Sequence, residues 1–139
     1  KGQIRSLNFT VTFSEAGIKA QERKILVVDD SAISRRLCAK AIREAGFKVE
    51  EAVDGIDAVE KHKVFKPDLT LMDINMPRMG GLDAIALVKE SQPDAGFIVM
   101  TSSSRKDEVL TAKMLGVLNY IIKQMEPAKI LEKINKALG

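Results

Sequence analysis

From residue 24 to its end, the chain alternates short apolar runs with amphipathic stretches. Residues 25–28, 69–72, 97–100 and 120–122 are dominated by Ile, Leu, Val, Met and Phe and are bounded by polar sequence. Runs this short and this apolar predict parallel strands covered on both faces. Residues 49–53 (VEEAV) are more polar and predict an edge strand.

Helices are predicted between the runs. Ile33, Leu37, Ala41 and Ala45 recur every four residues, which predicts an inward stripe on a first helix that stops at Gly46. Residues 56–65 predict a weaker second helix. Leu82, Ile85 and Val88 mark a third, and residues 106–115 a fourth, ended by Gly116. Pro127 suits a first helical turn, and Ile130, Leu131, Ile134 and Leu138 line the inward face of a last helix. Five strands alternating with five helices predict an α/β fold, a doubly wound five-stranded parallel sheet. Right-handed crossovers restrict its topology, and 2-1-3-4-5 is a common order for five strands.

Residues 1–23 break this rhythm. Leu7, Phe9, Val11 and Phe13 alternate with Asn8, Thr10 and Thr12, a period of two that predicts an extra β-strand over 6–13 and then a polar linker. The expected organisation is an N-terminal extension, 1–23, and a domain, 24–139. An isolated strand cannot keep such a row out of water, so pairing with a sheet edge or with a second copy in a homodimer is expected.

Composition narrows the class. The 139 residues suffice for one core, and the net charge of +3 is scattered without a basic patch, so nucleic-acid binding is not expected. No apolar run approaches the roughly 18 residues of a membrane span, and no signal segment opens the chain. The single cysteine, Cys38, fits a reducing compartment, and a cytoplasmic location is expected. Lys1 rather than Met opens the sequence, which leaves a second expectation, a part of a larger regulator whose upstream domain is missing.

In a doubly wound sheet, ligands bind beyond the carboxyl ends of the strands. Strand 1 ends in Asp29 and Asp30, strand 3 in Asp73, strand 4 in Thr101 and strand 5 in Lys123. Three carboxylates, a hydroxyl and an ammonium are thus expected on one edge. Carboxylates so close repel one another, and protons or a cation must relieve them. Oxygen donors without sulfur or imidazole favour a hard ion, Mg²⁺ or Mn²⁺.

The stretches Ile25-Leu26-Val27-Val28-Asp29-Asp30-Ser31, Ala52-Val53-Asp54-Gly55, and the run from Leu71 through Asp73-Ile74-Asn75-Met76-Pro77 to Gly81 carry a family resemblance. Val99-Met100-Thr101-Ser102 and Gly116 with Tyr120-Ile121-Ile122-Lys123 complete it. Together, from residue 24 onward, they resemble the receiver domains of two-component response regulators, of the chemotaxis CheY-like kind. The resemblance implies Asp73 as the phospho-acceptor. It implies Mg²⁺ held directly by Asp30, Asp73 and the Asn75 carbonyl, with Asp29 acting through water. Thr101 and Lys123 would each bind a phosphoryl oxygen, and Tyr120 resembles the aromatic residue that turns inward on activation. It implies a histidine kinase or phosphotransfer protein as donor, and an effector protein on the Tyr120 face. It makes the chain a signalling domain, not an enzyme beyond its own phosphorylation and dephosphorylation. Receivers usually carry Pro after the strand-5 lysine, but Gln124 stands here; a trans peptide is expected, because a cis bond before Gln costs roughly 2.5–4 kcal/mol.

Other classes fit less well. A flavodoxin-like cofactor binder would not place Asp29 and Asp30 where a phosphate must sit. A phosphohydrolase resembling the haloacid dehalogenases would carry Asp-x-Asp after strand 1. A receiver that binds partners without phosphorylation would not need the full set of acids. Elsewhere, His62 between Lys61 and Lys63 is expected to be exposed, and Cys38 to be an inert thiol beside Leu37 on the inward side of its helix. Met72, Met76, Met79 and Met100 are expected to pack core and loops, and Asp54 and Asp57 to start a helix.

Overall fold

The computed structural model describes residues 23–76, 78–102, 106–123 and 125–139. The predicted strand over 6–13 and the peptide before Gln124 lie outside these residues.

Ten elements follow in strict alternation. The strands are β1 (Lys24–Val28), β2 (Lys48–Ala52), β3 (Leu69–Asp73), β4 (Phe97–Thr101) and β5 (Asn119–Ile122). The helices are α1 (Ala32–Glu44), α2 (Gly55–Phe65), α3 (Gly81–Ser91), α4 (Lys106–Met114) and α5 (Pro127–Leu138). All neighbouring strands pair in parallel, in the order β2-β1-β3-β4-β5. This is the predicted sheet.

Strand pleating sorts successive side chains to opposite faces. Ile25, Val27, Leu69, Leu71, Ile98, Met100 and Ile121 pack with Ala39 and Ile42 of α1 and Ile130 and Ile134 of α5. Leu26, Val28, Met72, Phe97 and Val99 pack with Ala58 of α2, Ala84, Ile85 and Val88 of α3, and Ala112 of α4. Two layers of helices therefore cover a sheet whose β3 and β4 are buried throughout. Pro127 opens α5, and Met72 and Met100 lie in the core with Met76 and Met79 packed against it, as the sequence predicts.

The first helix turns differently from the prediction. Ile33 and Leu37 are 76% and 65% exposed, and the inward face is Arg35, Ala39 and Ile42, with Cys38 beside it. The four-residue stripe passed over Arg35 because it is charged. Positions 35, 38, 39 and 42 nevertheless hold helical spacing, and fixed partners satisfy the arginine. His62 also departs from expectation. It is 3% exposed, and its ring stacks on Phe97 with centroids 6.0 Å apart. Its lysine neighbours point elsewhere because each helical step turns about 100°, while Gly55, Ala58 and His62 share one buried face.

The β2 edge is guarded. The Lys48 N–H donates to the Arg23 carbonyl at 3.0 Å, and the Ala52 carbonyl accepts from the Asp29 N–H at 3.1 Å. Even-numbered residues of β2 thus face β1, and Val49 and Glu51 turn their peptide groups outward. Both outward carbonyls accept side-chain donors: Val49 from Arg43 Nη2 at 3.1 Å, and Glu51 from Lys61 Nζ at 2.5 Å. Long cations laid over an edge block its use as a template for another strand.

Candidate functional site

At the carboxyl ends of β1 and β3, one carboxylate oxygen from each of Asp29, Asp30 and Asp73 lies within 4.8 Å of the others. Asp29 and Asp73 are buried and Asp30 is exposed. The Asp29 Oδ1 accepts from the Ser31 N–H at 2.9 Å, and Ser31 Oγ in turn caps α1 by accepting from the Ser34 N–H at 3.3 Å. The Asp73 Oδ1 accepts from the Asn75 N–H at 3.1 Å, which folds the start of the next loop back over the acid.

Lys123 reaches in from the end of β5. Its Nζ donates to Asp73 Oδ2 at 2.9 Å and to Asp29 Oδ1 at 3.1 Å. Its backbone N–H donates to the Thr101 carbonyl at 2.9 Å, so the lysine and the buried Thr101 are fixed together. Burial pushes the Asp73 carboxyl up to about 6, against the opposing pull of Lys123 and the Asn75 N–H. Burial works against the Lys123 ammonium, but its hydrogen bonds to Asp73 and Asp29 outweigh it and hold the group above its ordinary range. The pocket holds an excess of carboxylate that a single ammonium only partly balances.

The loop after β3 is pinned in three places. A side chain on Gly81 would put its Cβ 2.2 Å from the Asp73 carbonyl oxygen, so only glycine lets α3 start against the acid strand. Gly55 does the same at the start of α2, where a Cβ would lie 2.5 Å from the Met79 carbonyl oxygen. Arg78, at φ +66°, binds Asp54 through Nε at 2.9 Å and also through Nη2. Asp54 is the N-cap of α2, accepting from the Asp57 N–H at 2.8 Å, while Asp57 accepts from the Val53 N–H at 3.0 Å. The Asp57 N–H first, and then Arg78, hold the Asp54 carboxyl below the usual range.

The structure thus brings together the sequence-predicted residues Asp29, Asp30, Asp73 and Lys123, with Thr101 buried on the adjoining strand and Asn75 exposed on the loop. Tyr120 stands apart on β5, 40% exposed, with Lys133 Nζ 5.8 Å from its ring centre. Sequence reasoning missed Arg35 and Arg78. The signal for Arg35 was a charged residue in register with Ala39 and Ile42. For Arg78, whose partner lies 24 residues away, there was none. Cys38 is a free, half-buried thiol pushed up to about 12 by burial and then by Asp29 and Glu51, which makes it unreactive as expected.

A parallel sheet in this order with an acid trio and a lysine at its carboxyl edge defines a class of signalling domain, and comparison with known proteins gives the family. The profile of the response regulator receiver domain matches residues 25–135. The chain is 38% identical over 115 residues to the chemotaxis protein CheY of Thermotoga maritima, covering 82% of this chain and 96% of that protein. It is 37% identical over 117 residues to CheY of Bacillus subtilis, covering 84% and 98%. A chain of the CheX–CheY–BeF₃–Mg²⁺ complex from Borrelia burgdorferi superposes with a TM-score of 0.80 at 26% identity, covering 84% of this chain and 90% of that one. The chain belongs to the response regulator receiver family, a signalling domain of two-component systems. Among the described residues, no helix is long and apolar enough to cross a membrane.

Proposed function

We propose that Asp73 accepts a phosphoryl group in the presence of Mg²⁺ and that the phosphorylated domain changes its protein partner. The observation that carries this reading is the Lys123 ammonium spanning Asp73 and Asp29, inside a trio of carboxylates within 4.8 Å of one another. An all-oxygen donor set with excess negative charge fits a hard divalent cation. Asp30, Asp73 and the Asn75 carbonyl would hold Mg²⁺, with Asp29 acting through water, and bound Mg²⁺ would neutralise phosphoryl oxygen charge. The Borrelia burgdorferi complex that superposes on this chain contains both BeF₃, a phosphoryl-like group, and Mg²⁺.

The chain's own residues then have distinct roles. An Asp73 oxygen forms the bond to phosphorus while the donor's P–N bond to histidine breaks, and the leaving imidazole takes the electron pair. Lys123 and Thr101 bind oxygens of the arriving group, the lysine as a compact charge on a flexible stem. The donor, a histidine kinase or a phosphotransfer protein, meets the exposed Ile33 and Leu37 of α1, the helix that follows Asp29 and Asp30. The effector meets the face of β5 where Leu118, Tyr120 and Ile122 are exposed, and Tyr120 turns inward when Thr101 moves.

Incubation with acetyl phosphate and Mg²⁺ should add one phosphoryl mass, and Asp73→Asn or a chelator should abolish it. Equal labelling of the Asn variant removes Asp73 from the role.

A further inference from the structure

Arg35 sits five residues after Asp30, on the inward face of α1, with its side chain 9% exposed. A guanidinium stays charged in a protein, so burial is tolerated only where fixed partners take its N–H groups. Arg35 has two of different kinds. Its Nη1 donates to the main-chain carbonyl of Asp29 at 2.9 Å, and its Nε donates to Glu51 Oε1 on β2 at 3.1 Å. The other oxygen of Glu51 accepts from Arg43 Nη1 at 3.2 Å, which holds the carboxylate in place.

The Asp29 carbonyl belongs to the peptide that joins Asp29 to Asp30, and both carboxylates project from its two ends. On the Asp29 side, the N–H is already fixed to the Ala52 carbonyl at 3.1 Å. Beyond that bond β1 has ended, and three mutually repelling carboxylates favour rotating this peptide to separate the charges. A hydrogen bond from a rigid, buried guanidinium opposes the rotation. Arg35 touches the backbone under the acids, at the Asp29 carbonyl, and its other bond is to Glu51.

We propose that Arg35 is a positioning residue of the acid pocket, a clamp that fixes the Asp29–Asp30 peptide and ties the spacing of the carboxylates to Glu51 on the edge strand. This rests on the reading of the pocket as a Mg²⁺ site. Residues that orient metal ligands from behind typically change metal affinity 10- to 100-fold. Lys has one compact ammonium in place of the planar fork and cannot hold carbonyl and carboxylate in the same geometry.

The test is calorimetric titration of Mg²⁺ on the full chain for wild type, Arg35→Lys, Glu51→Gln and Ile134→Val, each with its melting temperature. Ile134 is buried between α5 and the sheet and serves as a destabilised reference away from the clamp. Arg35→Lys should bind Mg²⁺ about tenfold more weakly. Glu51→Gln, which keeps the carbonyl bond but loosens the guanidinium, should lose less, in the same direction. Ile134→Val should keep wild-type affinity despite its lower melting temperature. Unchanged affinity in both Arg35→Lys and Glu51→Gln overturns the proposal, as does an equal loss in Ile134→Val. Absence of Mg²⁺ binding by wild type is a different result; it overturns the pocket reading itself and the clamp with it.

Discussion

The Lys123 ammonium stands 2.9 Å from Asp73 and 3.1 Å from Asp29, so a cation entering the trio meets a positive charge already in place. A divalent ion feels twice the repulsion of a unit charge, but the carboxylates paired with the ammonium offset most of it, and a remainder of about 1.4 kcal/mol is enough for a tenfold change in affinity. Lys123→Ala should therefore bind Mg²⁺ roughly tenfold more tightly by titration calorimetry, while labelling by acetyl phosphate slows. Weaker Mg²⁺ binding would instead mean that the lysine holds the acids in their binding arrangement. The residues of this pocket were legible in the sequence because each follows directly on an apolar run, and a strand's end fixes where the next side chain goes. Arg35 was not legible. Its value depends on Glu51, 16 residues away on another element, and no local pattern announces a buried cation's partner.

At the level of elements, the loop between β3 and α3 is decided by close approach. With Asp73 ending one element and Gly81 opening the next, the Asp73 carbonyl oxygen lies where a Cβ would be. Gly81→Ala must move the first turn of α3 or the acid strand, and overpacking of this kind typically costs about 1–3 kcal/mol. Urea unfolding should show a loss of that size, and phosphorylation of Asp73 should fall further than the same loss of stability produced at Ile134. Full activity with full stability would show that the turn relaxes freely. Strands were easier to read than helices. An apolar run betrays a strand buried on both faces. The face of α1, by contrast, depends on which residues have partners, so the exposed Ile33 and Leu37 looked like core. His62 was misplaced for a related reason, since charged neighbours in sequence do not share its face of α2.

For the molecule as a whole, the sheet order and the two helical layers followed from alternation and handedness, while the predicted strand over 6–13 lies outside the described residues. His62 adds a global sensitivity to acid. Burial lowers its pKa from 6.5, so the folded state keeps it neutral while the unfolded chain takes up a proton near 6.5. Its contribution is therefore complete above pH 6.5 and is lost as pH falls below that value. Asp73, raised to about 6, acts in the opposite sense between its ordinary 3.8 and 6, so the wild-type curve alone mixes the two. The difference between wild type and His62→Phe isolates the histidine: from pH 7 to 5 the wild-type urea midpoint should fall relative to the variant. Parallel curves would show that the imidazole is accessible to protons in the fold. The guarded edge has a consequence for assembly. Among the described residues, the outward carbonyls of Val49 and Glu51 are taken by Arg43 and Lys61, so the five-stranded sheet is monovalent toward other sheets and offers its β5 edge. For the described residues, two copies meeting through β5 would close on a two-fold axis with a guarded β2 at either end, a geometry that favours pairs over filaments.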